Sequence, residues 1–235
     1  MIKIEKTDVY GWEAAIRGMR NPLNSWERSD SYQCEKDKND GDCFACERFQ
    51  DCETLKFKTA SHGFFVGKND HDLMMRLAKG GSTHAKYKRM ITVTVDITAP
   101  LYWLKEVDTY KVGTVANSCS TMHRIHAKEF TIDDFSYDHI DDSNLLWAIP
   151  DELNKWRKMY LETKDKYYWW QMIQLLPTSY NQKRTFLFNY EVLTAMYNDR
   201  KNHKLDEWHT FCDWVCGLPY SELIIGENAN ECASD

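Results

Sequence analysis

Residues 175–208 read LLPTSYNQKRTFLFNYEVLTAMYNDRKNHKLDEW, with a proline near the head and neither glycine nor further proline after it. From Thr185 to about Cys216 nothing breaks the chain until Gly217 and Pro219, so the spacing predicts one long helix. At about 100° per residue, with Asn189 as zero, Arg200 falls at about 20°, Glu207 at about 0° and His203 at about −40°. Leu193 and Met196 lie on nearly the same stripe. Such a face is either solvated or, because apolar groups are mixed into it, the wall of a pocket. In a pocket Arg200 is the informative residue. Its planar fork holds a carbonyl, carboxylate or phosphate through two parallel hydrogen bonds, which lysine cannot copy.

The same stretch resembles the C-terminal half of flavin-dependent thymidylate synthases. That family has a proline after a long helix, an asparagine twelve residues later and an arginine eleven beyond it, and Pro177, Asn189 and Arg200 reproduce both intervals. The resemblance implies that Asn189 touches the flavin and that Arg200 orients the uracil of dUMP, a catalytic role. The family's next flavin contact, a histidine four residues past the arginine, falls on Lys204 with His203 one step before it, so both are candidate cofactor contacts. The family's arginine four residues before the proline falls on Ile173, which leaves Gln174 beside it as a candidate substrate contact.

A second segment, THAKYKRMITVTVDITAPLYWLKEVDTYKVGTVANSCSTMH at 83–123, is similar to the family's histidine, strand, proline and signature RHRxxSxNExSxR. His84 stands for the histidine and Ala99-Pro100 for the turn after the strand. Thr109, Tyr110 and Lys111 occupy the RHR triplet that embraces the flavin, and Asn117 follows as another candidate cofactor contact. Ser118, Cys119 and Ser120 cover the serine that meets the nucleotide, with a catalytic part for Ser118. Losing two arginines from the triplet removes planar donors and leaves the cofactor, substrate and chemistry open to change. With Thr121 and His123, this stretch is either a ligand loop or an ordinary polar loop. Cys119 within it is either a nucleophile, served by Lys111 or His123, or a small buried residue.

The resemblance implies an α+β chain with a central, mostly antiparallel sheet and long helices. It implies methylation of dUMP, with FAD as cofactor, methylenetetrahydrofolate as carbon donor and NADPH as electron source, in a homotetramer whose sites lie between subunits. Family members use no enzymic nucleophile; reduced flavin and an electrostatically held uracil suffice. Two alternatives stay open: another pyrimidine nucleotide or one-carbon unit on the same fold, and a non-catalytic nucleotide-binding protein.

Outward from these segments the elements are plainer. Trp12, Ala15, Ile16 and Met19 recur at helical spacing until Asn21-Pro22. NDHDLMMRLAKGG, from Asn69, predicts a short helix ending near Lys79. Ile91, Val93, Val95 and Ile97 alternate with polar residues up to Pro100, the pattern of a half-buried strand whose polar face suits an edge or a cleft. From Pro150 to Pro177 the sequence predicts one long helix with acids in its first turn.

The chain has 235 residues, 43% hydrophobic and 14% aromatic, which suits a single globular domain over 1–235. Its net charge of −6 argues against a polynucleotide partner. No apolar run approaches the roughly 20 residues of a membrane span, and charges stand where a signal peptide would be apolar, so a cytoplasmic protein without a membrane partner is expected. Cys34, Cys43, Cys46 and Cys52 form C-x8-C-x2-C-x5-C in a polar insertion at about 27–56. They are candidate ligands of zinc or an iron-sulfur cluster, with free thiols or disulfides as the other readings. Cys212 and Cys216, one turn apart, are expected in the core, and a short flexible tail is expected from about 226.

Overall fold

The structure is a computed structural model that describes residues 2–33, 64–141 and 143–226. In chain order its elements are β1 (Lys3–Tyr10), α1 (Trp12–Arg20), β2 (Tyr32–Gln33), β3 (Phe64–Phe65), α2 (Lys68–Lys79), β4 (Thr92–Pro100), α3 (Leu101–Val107) and β5 (Val115–Ser118). They continue with α4 (Ser143–Thr163), α5 (Lys166–Leu175), β6 (Asn181–Asn189), α6 (Tyr190–Arg200), α7 (Asp206–Cys216) and α8 (Glu222–Ile225). The central sheet is mostly antiparallel, in the order β1-β4-β6-β5, and β2 pairs antiparallel with β3. The α+β class expected from the sequence is therefore the one observed. Among the described residues no helix is long and apolar enough to cross a membrane.

β4 has the expected period: Val93, Val95, Ile97 and Ala99 are buried while the threonines between them are half-buried. It lies between β1 and β6 in the sheet order, so it is an interior strand and its polar residues do not mark an edge. Two helical expectations need correction. Residues 185–216 are not one helix but the end of β6, then α6, a turn, and α7. Phe186 and Phe188 are buried on one side of β6, and Asn189 ends the strand by capping α6. The 150–177 stretch is not one helix opened by Pro150 either. α4 begins at Ser143 with Pro150 inside it, and the chain breaks where Lys164 takes a φ of 60° and Asp165 caps α5.

Contacts divide the described residues into two compact units, one of 2–3, 97–109 and 116–185, the other of 4–33, 64–96, 110–115 and 186–226. In the first, α4 and α5 form a helical hairpin whose core holds Ile125, Phe130, Phe135, Leu153 and Met172. In the second, α1 buries Trp12, Ala15, Ile16 and Met19, as its spacing predicts. α6 and α7 add Leu193, Met196, Trp208, Phe211 and Val215 to the buried set. One buried ion pair, Arg20 Nε to Asp70 Oδ1 at 2.6 Å, joins α1 to α2. Ser29 and Ser31 hydroxyls donate to the other Asp70 oxygen at 2.7 and 2.6 Å, so the charge is fully hydrogen-bonded. Burial alone would raise the Asp70 carboxyl, but these two serines and Arg20 together hold it below its ordinary value.

Candidate functional site

In the second unit, α6 carries an informative residue at each end. Asn189 is its N-cap: Oδ1 accepts from the Val192 amide at 2.9 Å, which satisfies one of the helix's open donors. The same side chain reaches out of the helix through Nδ2, which donates to the Gly113 carbonyl at 3.4 Å. Gly113 has a φ of 77°, and a Cβ there would overlap the Asn189 amide, so both backbone and space call for glycine. Beside it, Thr114 Oγ1 is buried without a hydrogen-bond partner among the described residues.

At the other end of α6, Arg200 Nε donates to the Tyr110 hydroxyl at 3.0 Å, and that hydroxyl donates to Asp199 Oδ2 at 3.0 Å. The guanidinium carbon lies 4.8 Å from the ring centre of Trp208 and 5.6 Å from that of Tyr110, so two aromatic faces flank the cation. Trp208 is fully buried, from the first turn of α7. Burial pushes the Tyr110 hydroxyl above its ordinary value, a tendency that Arg200 opposes and Asp199 supports. Tyr110 therefore keeps its proton at neutral pH and remains a donor to Asp199. His203, in the turn between α6 and α7, stands 6.3 Å from Trp208 edge-on, and its Nδ1 accepts from the Leu205 amide at 3.2 Å.

Tyr110, Asn189, Arg200 and His203 thus belong to one unit, around Gly113 and Trp208. They do not share a helical stripe. Asn189 is a cap, Arg200 a last residue, His203 a turn residue and Glu207 buried in the next helix. Lys111 and Lys204 are exposed in the same unit. His84 is exposed in the turn before residues 85–89 and makes no side-chain hydrogen bond among the described residues. The sequence reading omitted Gly113 and Trp208; the glycine at the heart of the polar stretch was the available signal.

In the first unit, Asn117, Ser118, Cys119 and Ser120 are all exposed at the end of β5. The Cys119 backbone is fastened to β6 at both groups. Its amide donates to the Lys183 carbonyl at 2.9 Å, and its carbonyl accepts from Gln182 Nε2 at 2.6 Å. Gln182 in turn accepts from Arg184 Nε at 2.9 Å, and Arg184 Nη1 pairs with Asp108 at 2.7 Å. Gln182, Arg184 and Asp108 escaped sequence reasoning because folding brings Asp108 to Arg184 across 76 residues of chain. The Ser120 hydroxyl accepts from the amides of Met122 and His123, a local turn. Cys119 has a free, exposed thiol, and the His123 side chain makes no hydrogen bond among the described residues, so it gives that thiol no base. Thr109 caps the end of α3 through a hydroxyl bond to the Glu106 carbonyl at 2.7 Å, and Gln174 is exposed on α5.

Cys34, Cys43, Cys46 and Cys52 lie outside the described residues, as does most of the expected tail. Among the described residues no group of three or more His, Cys, Asp or Glu side chains is placed to hold a metal. Cys212 is buried, as expected, and burial pushes its thiol up to about 12, which makes it inert. Cys216 is half-buried and disulfide-bonded.

No protein-family model matches this chain, and no curated protein matches it either. Solved structures do. The flavin-dependent thymidylate synthase of Helicobacter pylori, complexed with FAD and dUMP, aligns with a TM-score of 0.65 at 14% identity, over 97% of this chain and 99% of that one. A second structure of thymidylate synthase X from Helicobacter pylori, with FAD and dUMP, gives 0.63 at 14% identity over 97% and 98%. A UMP/dUMP methylase from Streptomyces cacaoi, bound with 5-Br dUMP, gives 0.54 at 11% identity over 95% and 94%. At these identities the likeness shows that the chain has the flavin-dependent thymidylate synthase fold.

Proposed function

We propose that the chain is a flavin-dependent methylase of a pyrimidine nucleotide, with dUMP as substrate, FAD as cofactor, and methylenetetrahydrofolate and NADPH as co-substrates. The observation that carries this reading is the full-length likeness to a synthase complexed with FAD and dUMP. The side chains fit it. The Asn189 amide, the Gly113 turn it packs on, and the Thr114 hydroxyl, which has no hydrogen-bond partner among the described residues, suit a ligand rich in hydrogen-bonding groups. His203, Lys204, Lys111 and Tyr110, with Asn189, are the residues of the second unit that would hold FAD; His84, Thr109 and Asn117 are the further candidates. When bound, reduced flavin supplies electrons to the transferred carbon.

Arg200 would orient the uracil. Tyr110 and Trp208 fix the guanidinium plane, so it is organised before the nucleotide arrives and needs no rearrangement as charge develops on the ring. In the first unit, Ser118, Cys119 and Ser120, with Gln174, are the candidate nucleotide contacts, and the bonds from Gln182 and Lys183 hold the Cys119 backbone in place for that work. A chemistry without an enzymic nucleophile agrees with a Cys119 thiol to which His123 supplies no base. The same reading carries a cytoplasmic homotetramer.

A second reading, in which UMP replaces dUMP, draws support from the likeness to the UMP/dUMP methylase and from Thr109 and Lys111 standing where the resembling family has arginines. Release of tritium from C5-labelled dUMP and UMP, with FAD, NADPH and methylenetetrahydrofolate present, tests both. Release from dUMP is expected. Release from UMP alone would favour the second reading, and none from either by FAD-loaded protein would contradict the proposal.

A further inference from the structure

A cavity of about 430 Å³ opens in the first unit where α4 turns into α5, lined by His123, Tyr160, Lys164, Lys166 and Trp169. Its volume is that of a small-molecule site. The lining combines aromatic rings with two lysines and a histidine, and it contains no carboxylate. Trp169 Nε1 donates to the Met122 carbonyl at 3.0 Å, which fixes the indole plane. Lys164 Nζ lies 5.9 Å from the Tyr160 ring centre, and Lys166 Nζ 5.8 Å from that of Trp170. Among the described residues neither lysine has an acidic partner. Asp165, the carboxylate of the turn, is engaged in capping α5 by accepting from the Tyr167 amide at 2.8 Å.

Two further facts point to a use for these cations. Lys164 closes α4 with a φ of 60°, a left-handed conformation for which glycine is the ordinary residue. A lysine there runs against the backbone's preference, and it puts an ammonium group into the cavity wall. Behind the wall, His126 packs edge-on to Tyr160 at 4.9 Å. Burial, helped by the charges of Arg124, Lys164 and Arg157, holds it below its ordinary value, so three cations lie within reach of it.

We propose that this cavity is a second ligand site, for a nucleoside diphosphate, with the base against Trp169 and Tyr160 and the phosphates on Lys164, Lys166 and His123. Fixed aromatic faces accept any base, while lysines meet phosphate as point charges. The site stands apart from the function proposed above and does not depend on it.

Calorimetric titration of the full chain tests it, with FAD and dUMP both in excess so that their own sites are filled. The probes are ADP and inorganic pyrophosphate. ADP is expected to bind, and pyrophosphate more weakly. Lys164→Gly suits the left-handed backbone, so it should raise the melting temperature while weakening ADP about tenfold. Trp169→Leu should weaken ADP yet leave pyrophosphate within about twofold, because stacking alone is lost. Absence of ADP binding at millimolar concentration, or an ADP affinity that Lys164→Gly leaves within about twofold, would overturn the proposal. A chain that takes up neither FAD nor dUMP but binds ADP through Lys164 would sink the proposed function and leave this site standing.

Discussion

Arg200 gains its meaning from its neighbours. A guanidinium between two aromatic faces, with Nε tied to a tyrosine hydroxyl, keeps one orientation. A lysine would keep the charge and lose the planar fork. Arg200→Lys is therefore expected to weaken dUMP binding by roughly 1 to 3 kcal/mol, measured by equilibrium titration; unchanged binding would place the nucleotide elsewhere. Gly113 is the second decisive residue, since its left-handed backbone and the nearby Asn189 amide both exclude a side chain. Gly113→Ala is expected to lower stability by about 1 to 2 kcal/mol from the backbone alone, read by denaturant unfolding. At this scale the interval between them singled out Asn189 and Arg200, which the structure sets at the two ends of α6. Trp208 was not, since its value lies in a ring that folding brings against Arg200 from the next helix.

At the scale of elements, the first helix and β4 were legible from periodicity, because each buries one side and leaves the other wet. β6 was misread. Lys183, Arg184 and Thr185 precede two buried phenylalanines, and that mixture fits either period, while the overlooked signal was Asn189 as a cap. The break between α6 and α7 has neither glycine nor proline to announce it. β1 buries only Val9 fully, too weak a pattern to stand out. The contact between α2 and α8 makes a pH-dependent prediction. His71 Nε2 meets Glu222 Oε1 at 2.7 Å, and that bond, opposed by burial and aided by Asp72, raises His71 above its ordinary 6.5. A raised folded value means that the contribution is full below about 6.5 and is lost as pH climbs through the folded value. The melting-temperature gap between wild type and His71→Gln should be widest in acid and narrow toward alkali; a gap independent of pH would refute the linkage.

At the scale of the whole molecule, composition set limits and the resemblance named a fold, which the coordinates bear out. The chemistry was less legible, for a physical reason. A fold tolerates wide change at its surface, whereas a reaction depends on a few groups, and in the stretch from Asp108 to His123 the resemblance alone assigns those groups. Between Thr109 and Lys111, Tyr110 packs against Arg200. Flavin binding by the unit that carries Asn189 and Arg200 is therefore the central claim. The direct measurement is the visible absorption spectrum of the purified chain, before and after adding FAD and then dUMP. Retained flavin bands, strengthened by FAD and perturbed by dUMP, are expected; a colourless protein that takes up no FAD would contradict flavin binding.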